Sequence, residues 1–157
     1  MKKGFTLIEV ILAISILTIG VSAAWMTLQK ILTFTQPLPS RLIATYLLQE
    51  GLEIARNVRD KGWVEGKEWG DGIPNGERQA DYKSVNLAQK YSDEPLNIDA
   101  NGLYSYSPGT PTKFKRKIII SKPTSYIIEV VVEVSWEERG KTHTISGQLD
   151  LYNSYQE

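Results

Sequence analysis

From Phe5 to Leu28 the chain runs for 24 residues with a single charged side chain, Glu9. No other stretch constrains the fold as much. As an α-helix, at about 1.5 Å per residue, it would be roughly 36 Å long, enough to cross a bilayer. Lys2 and Lys3 precede it, and Gln29 and Lys30 follow it. Basic residues at its start keep that end in the cytoplasm. A carboxylate in a lipid-facing helix costs on the order of 2.5–3.5 kcal/mol at the centre and less near an end. A plain single-pass anchor supplies no partner for Glu9. Neither does a cleaved secretory signal, although Ser22 and Ala24 are small residues suitably placed before Trp25.

The order of residues in KKGFTLIEV suggests another reading. Basic residues, a glycine, then Phe-Thr-Leu-Ile-Glu and an apolar run resemble the class III signal of type IV pilins and pseudopilins. The resemblance implies that a membrane-embedded prepilin peptidase cuts after Gly4. Residues 1–4 are then the leader, and Phe5 begins the mature chain and is N-methylated. The resemblance assigns assembly to Glu9, with Thr6 in the same motif. Its physical basis is the new α-amine on Phe5, with a reference pKa of about 7.7–8.0. In low dielectric an ammonium and a carboxylate each need a counter-charge. Residues four apart share a helix face, so Glu9 has its own N-terminus within reach. In the family's filaments the proposed partner is the amine of a neighbouring subunit.

Beyond the apolar run, no proline interrupts the chain before QPLPS at 36–40. Pro37 and Pro39 remove backbone donors and restrict the residues before them, so a kink or short break is expected there. Ser40 is a candidate cap for a second helix over 40–61. Its stripe comprises Ile43, Leu47, Leu48, Ile54, Ala55 and Val58, with Gly51 on or beside it where another backbone could approach. Lys61-Gly62 is the expected end.

Residues 62–112 read as irregular, rich in glycine and proline, with short strands expected near 80–86 and 103–106. Trp63 and Trp69 are expected to cover the helix end. Residues 113–153 alternate cleanly. Phe114, Arg116, Ile118 and Ile120 share one face, as do Ile128, Val130, Val132, Val134 and Trp136, and then His143, Ile145, Leu149 and Leu151. Lys122-Pro123-Thr124 and Arg139-Gly140 supply the turns. Three such segments make an antiparallel meander with one buried face. The fold class is therefore α+β. The resemblance sharpens it to pilin-like, a long N-terminal helix with a membrane half and an amphipathic half packed on a C-terminal antiparallel sheet. The segments from GLYSY to QLDLYNSY also resemble, by pattern, the globular part of minor pilins and pseudopilins.

Few residues suggest chemistry. There is no cysteine, which excludes disulfides and thiolate metal sites. His143, the single histidine, reads as a partly buried, hydrogen-bonded strand residue and not as a base. Within NIDANG, Asn97, Asp99 and Asn101 alternate ahead of Gly102 like the start of a calcium loop. The twelfth position is Pro108 and not a bidentate glutamate, so an Asx-rich turn is the default. KFKRK puts Lys113, Lys115 and Lys117 on one strand face, with Tyr104 and Tyr106 nearby. The whole chain is neutral, and without Lys2 and Lys3 it has 16 basic against 18 acidic side chains. Nucleic acid is therefore not an expected partner, and the lysines read as guards of a solvated strand.

The resemblance implies a minor pilin or pseudopilin rather than an enzyme; no cofactor is expected, with calcium at Asn97, Asp99 and Asn101 as the alternative, since some pseudopilins bind calcium in a loop. It would be a subunit of a type IV pilus or of a type II secretion or competence pseudopilus. Its partners would be the prepilin peptidase/N-methyltransferase, other subunits, the inner-membrane assembly platform and lipid. It would sit in the inner membrane with its C-terminal domain outside before entering a filament. The alternative is a bitopic anchor carrying a β-rich binding domain that forms no filament.

Overall fold

A computed structural model describes residues 4–35 and 38–153. The chain divides into two compact units, Met1–Pro39 and Ser40–Glu157. In the first unit, α1 runs over Leu7–Thr35, and Leu7–Leu32 is long and apolar enough to cross a membrane. Its apolar side chains stay exposed, among them Ile8, Ile16, Trp25 and Leu28. A helix apolar all round needs an apolar medium or other helices about it. The hydroxyls of Ser15, Thr18 and Thr27 donate to the carbonyls four residues back, at 2.8, 2.8 and 2.9 Å. Each of these three hydroxyls is thereby satisfied within the helix, as hydrocarbon requires. Gln36 and Pro37, where the break was expected, lie outside the described residues.

The second helix, α2, spans Leu38–Val64, so it starts earlier and ends later than 40–61. Pro39 falls in its first turn, where an N–H has no helical partner to lose. Ser40 is therefore not the cap. Its Oγ instead accepts from Lys113 Nζ at 2.8 Å and donates to Glu138 Oε1 at 3.2 Å. Nor does Gly62 end the helix. The end is a Schellman motif, with Gly66 N–H donating to Trp63 O at 3.1 Å and Lys67 N–H to Gly62 O at 2.9 Å. Gly66 takes the left-handed conformation this requires, φ 67°. Beyond it Trp69 stacks on Trp63 at 6.3 Å and packs against the core.

The main sheet is antiparallel, in the order β1-β5-β6-β7, with β1 Gly76–Arg78, β5 Phe114–Ser121, β6 Ile127–Glu138 and β7 Lys141–Tyr152. The alternation read from the sequence holds. Phe114, Ile118, Ile120, Ile128, Val130, Val132, Val134 and Trp136 are buried, and Ala44, Leu47, Ile54, Ala55 and Val58 of α2 join them in one cluster. Each buried valine, leucine or isoleucine contributes about 1.5–3 kcal/mol by leaving water. Gly51 allows the close approach. A Cβ there would lie 2.8 Å from Val132 Cγ1, so a side chain and not a backbone fills the space. Gly147 on β7 likewise receives Leu48, whose Cδ2 would be 2.9 Å from an added Cβ.

Arg139 and Gly140 close the β6–β7 hairpin with φ of 55° and 68°, the two left-handed residues of a type I′ turn. The expected strand at 80–86 is not formed. Asp81 organises a turn there, accepting from Lys83 N–H at 3.0 Å, while β1 lies upstream and pairs with Ile118–Ile120. A smaller sheet in the order β3-β2-β4 joins β2 Asn97–Ile98, β3 Tyr104–Ser105 and β4 Thr110–Pro111. Its β3 coincides with the strand expected at 103–106.

Candidate functional site

The sequence placed its strongest functional signal at the N-terminus. Gly4, Phe5 and Thr6 are non-helical, and α1 begins at Leu7. Thr6 is the cap. Its Oγ1 accepts from Glu9 N–H at 3.3 Å, and its carbonyl accepts from Val10 N–H at 3.2 Å. Thr6-Leu7-Ile8-Glu9 has the spacing of a capping box, a hydroxyl residue followed three positions later by glutamate. That signal stood in the sequence and was not read from it. Glu9 lies in the first turn of α1, where the unpaired N–H groups make the helix end positive and favour a carboxylate. Glu9 thus has an electrostatic reason for its position within its own chain. Phe5 precedes the helix, so here its four-residue spacing from Glu9 does not put the two on one helical face.

The other candidates are distributed over the second unit. Asp99 is buried, and its carboxylate accepts from Tyr82 Oη at 2.6 Å, Asn101 N–H at 2.9 Å and Leu103 N–H at 3.2 Å. Lys83 Nζ stands 3.1 Å away. The Tyr82 hydrogen bond, with help from Lys83 and the two backbone N–H groups, outweighs burial and holds this carboxyl well below the usual carboxylate range. Lys83 supplies the positive charge beside this carboxylate. Asn97 is turned elsewhere, its Nδ2 donating to Ser107 O at 3.1 Å. The Asn101 contact makes the Asx turn. Among the described residues, no three His, Cys, Asp or Glu side chains gather in a group that could hold a metal ion.

Of the KFKRK lysines, Lys115 and Lys117 lie on the outer face of β5 while Lys113 precedes the strand and reaches Ser40 of α2, and each is paired. Lys113 meets Glu138 at 3.2 Å, Lys115 meets Asp93 at 2.7 Å, and Lys117 meets both Glu77 and Glu133 at 3.2 Å. Burial pulls the Glu138 carboxyl up, but hydrogen bonds from Lys113, Ser40 and Trp136 prevail and leave it lowered. Tyr104 does not join the lysines; it packs edge-on against Phe114. Tyr106 turns away too, donating to Arg116 O at 2.9 Å. His143 is partly buried and stacks on Trp136 at 5.3 Å.

Arg116 is a residue whose role sequence reasoning missed. It is 0% exposed, and its guanidinium reaches Leu47 O at 3.0 Å, Ala80 O at 2.6 Å and Glu50 Oε2 at 3.1 Å. It therefore ties α2 to β5 and to the loop before β2. The alternation put it on the buried face, but its partners are 36 and 69 residues away, beyond any local pattern.

Residues 1–25 match the family model described as the prokaryotic N-terminal methylation motif. No curated protein and no solved structure matches the chain. The chain carries the class III prepilin signal of type IV pilins, followed by an apolar helix and a C-terminal antiparallel sheet. That signal stands on a chain of α+β fold with the layout of a pilin, an apolar N-terminal helix and a C-terminal antiparallel sheet.

Proposed function

We propose that the chain is a minor pilin or pseudopilin. Prepilin peptidase cuts it between Gly4 and Phe5, Phe5 is N-methylated, and α1 carries it into a filament. The methylation motif at residues 1–25 carries this reading. The lysines before Gly4 keep the N-terminus cytoplasmic, and the second unit lies on the far side of the inner membrane. The assembly platform there draws subunits from the bilayer. Glu9 pairs with the methylated amine of the adjoining subunit, because both charges otherwise remain unpaired in low dielectric. The irregular middle and the lack of a disulfide favour a minor subunit.

Co-expression with a prepilin peptidase and mass spectrometry of the product test the reading. The expected product lacks four residues and carries one extra methyl on Phe5. An uncut chain would favour the non-filamentous anchor. Glu9→Val should still be cut while its incorporation into filaments falls; normal incorporation would remove Glu9 from assembly.

A further inference from the structure

We infer that Thr6 is a positioning residue for leader removal, because its hydroxyl keeps the Gly4–Phe5 bond out of the helix. The inference rests on the processing proposed above. Leader removal adds water across that amide. The bond from Gly4 carbon to Phe5 nitrogen breaks, Gly4 leaves as a carboxylate, and Phe5 keeps the proton as an ammonium. Attack requires an accessible Gly4 carbonyl. In a helix that carbonyl would accept from Ile8 N–H, four residues on, and the peptide unit would be wound against its neighbours.

Nothing in the residues after Gly4 opposes such winding. From Phe5 the chain has no proline and no further glycine until Gly20, and in an apolar medium every free N–H favours a carbonyl partner. The structure nevertheless stops the helix at Leu7, and the hydrogen bonds show how. One more helical residue at the N-terminus would need Glu9 N–H to bond the Phe5 carbonyl. Glu9 N–H instead points to Thr6 Oγ1 at 3.3 Å, and the first helical bond is Val10 N–H to Thr6 O at 3.2 Å. The Thr6 hydroxyl thus competes directly with the Phe5 carbonyl for one donor. While it prevails, Gly4, Phe5 and Thr6 remain non-helical. The helix start, two residues past the bond to be cut, is set by the side chain at position 6.

Valine matches threonine in shape and lacks the oxygen, which makes Thr6→Val the informative variant. Full-length chain in detergent is mixed with purified prepilin peptidase, and leader release is followed over time. Loss of an N-cap shifts the winding equilibrium, so release from Thr6→Val should slow about three- to tenfold, whereas Thr6→Ser stays near the parent rate. Wound and unwound forms exchange before binding, so the loss should appear in kcat/KM and diminish at saturating chain. Backbone carbonyl chemical shifts of Gly4 and Phe5, read without peptidase, form the second arm. They should move toward helical values in Thr6→Val and not in Thr6→Ser. Unchanged shifts with slow release would mean that the peptidase touches the hydroxyl itself, and would overturn the inference. So would equal release rates for all three chains. If the parent chain itself is uncut, the processing reading fails, and the chemical shifts still decide whether Thr6 sets the helix start.

Discussion

Arg116 and Glu9 are charges in surroundings that disfavour charge, and the fold handles them differently. Arg116 is met by two carbonyls and Glu50. Removing one side of a buried pair leaves the remaining polar groups unmatched, so Arg116→Ala should cost roughly 3–5 kcal/mol in denaturant unfolding of the detergent-solubilised chain. A loss below 1 kcal/mol would mean that water reaches the vacated space. Glu9 has the positive end of α1 beside it. Glutamine serves a capping box as glutamate does but carries no charge. Glu9→Gln should therefore leave leader removal near the parent rate while filament incorporation falls; a gel mobility shift and a shear assay measure the two. Tyr106 adds a pH effect. Burial, with Asp81, Glu50 and Glu94 adding to it against Arg116, pushes its hydroxyl up to about 12 from an ordinary 10.0. The unfolded chain ionises first, so its contribution is complete below pH 10 and is lost as pH rises through 12. Tyr106→Phe should flatten the alkaline fall in stability, as melting temperature against pH would show.

At the scale of elements, α2 holds two glycines in opposite circumstances. Gly62 is helical with nothing within 4 Å of an added Cβ, whereas Gly51 faces Val132 at 2.8 Å. Gly62→Ala should raise stability by about 0.5–1 kcal/mol through helix propensity. Gly51→Ala gains the same propensity but forces a buried β-branched side chain aside, and should lower stability by about 1–2 kcal/mol. Opposite signs for one chemical change on one helix would separate packing from propensity in paired thermal melts. The β6–β7 hairpin offers a third case. Arg139 holds φ 55° in a type I′ turn, a conformation asparagine tolerates better. Arg139→Asn should stabilise the chain by a few tenths of a kcal/mol.

Across the whole molecule, the buried hydrophobic cluster runs from Ala44 to Leu151 and lies wholly within the second unit. Residues 40–157 alone should therefore unfold in one cooperative transition, read as coincident circular dichroism and tryptophan fluorescence curves. Non-coincident curves would mean that this cluster does not unfold as a single cooperative unit. Much of this was legible beforehand, because the signals are local. An apolar run of bilayer length, a processing motif contiguous in the chain, and strict alternation through Phe114–Leu151 follow from a period or an order that needs no distant partner. The sequence by itself thus determined the membrane-compatible helix, the α+β class, the inward face of each long strand and the location of the prepilin signal. Tertiary structure decided what lies opposite those faces. It placed Gly76–Arg78, a stretch too short to show a period, against β5 as the fourth strand. It gave each lysine of KFKRK a carboxylate, gave Asp99 a lysine, and enclosed Arg116 between α2 and a loop. The reason is physical. Side-chain direction is set by neighbouring φ and ψ, but a partner is set by register and packing between segments tens of residues apart.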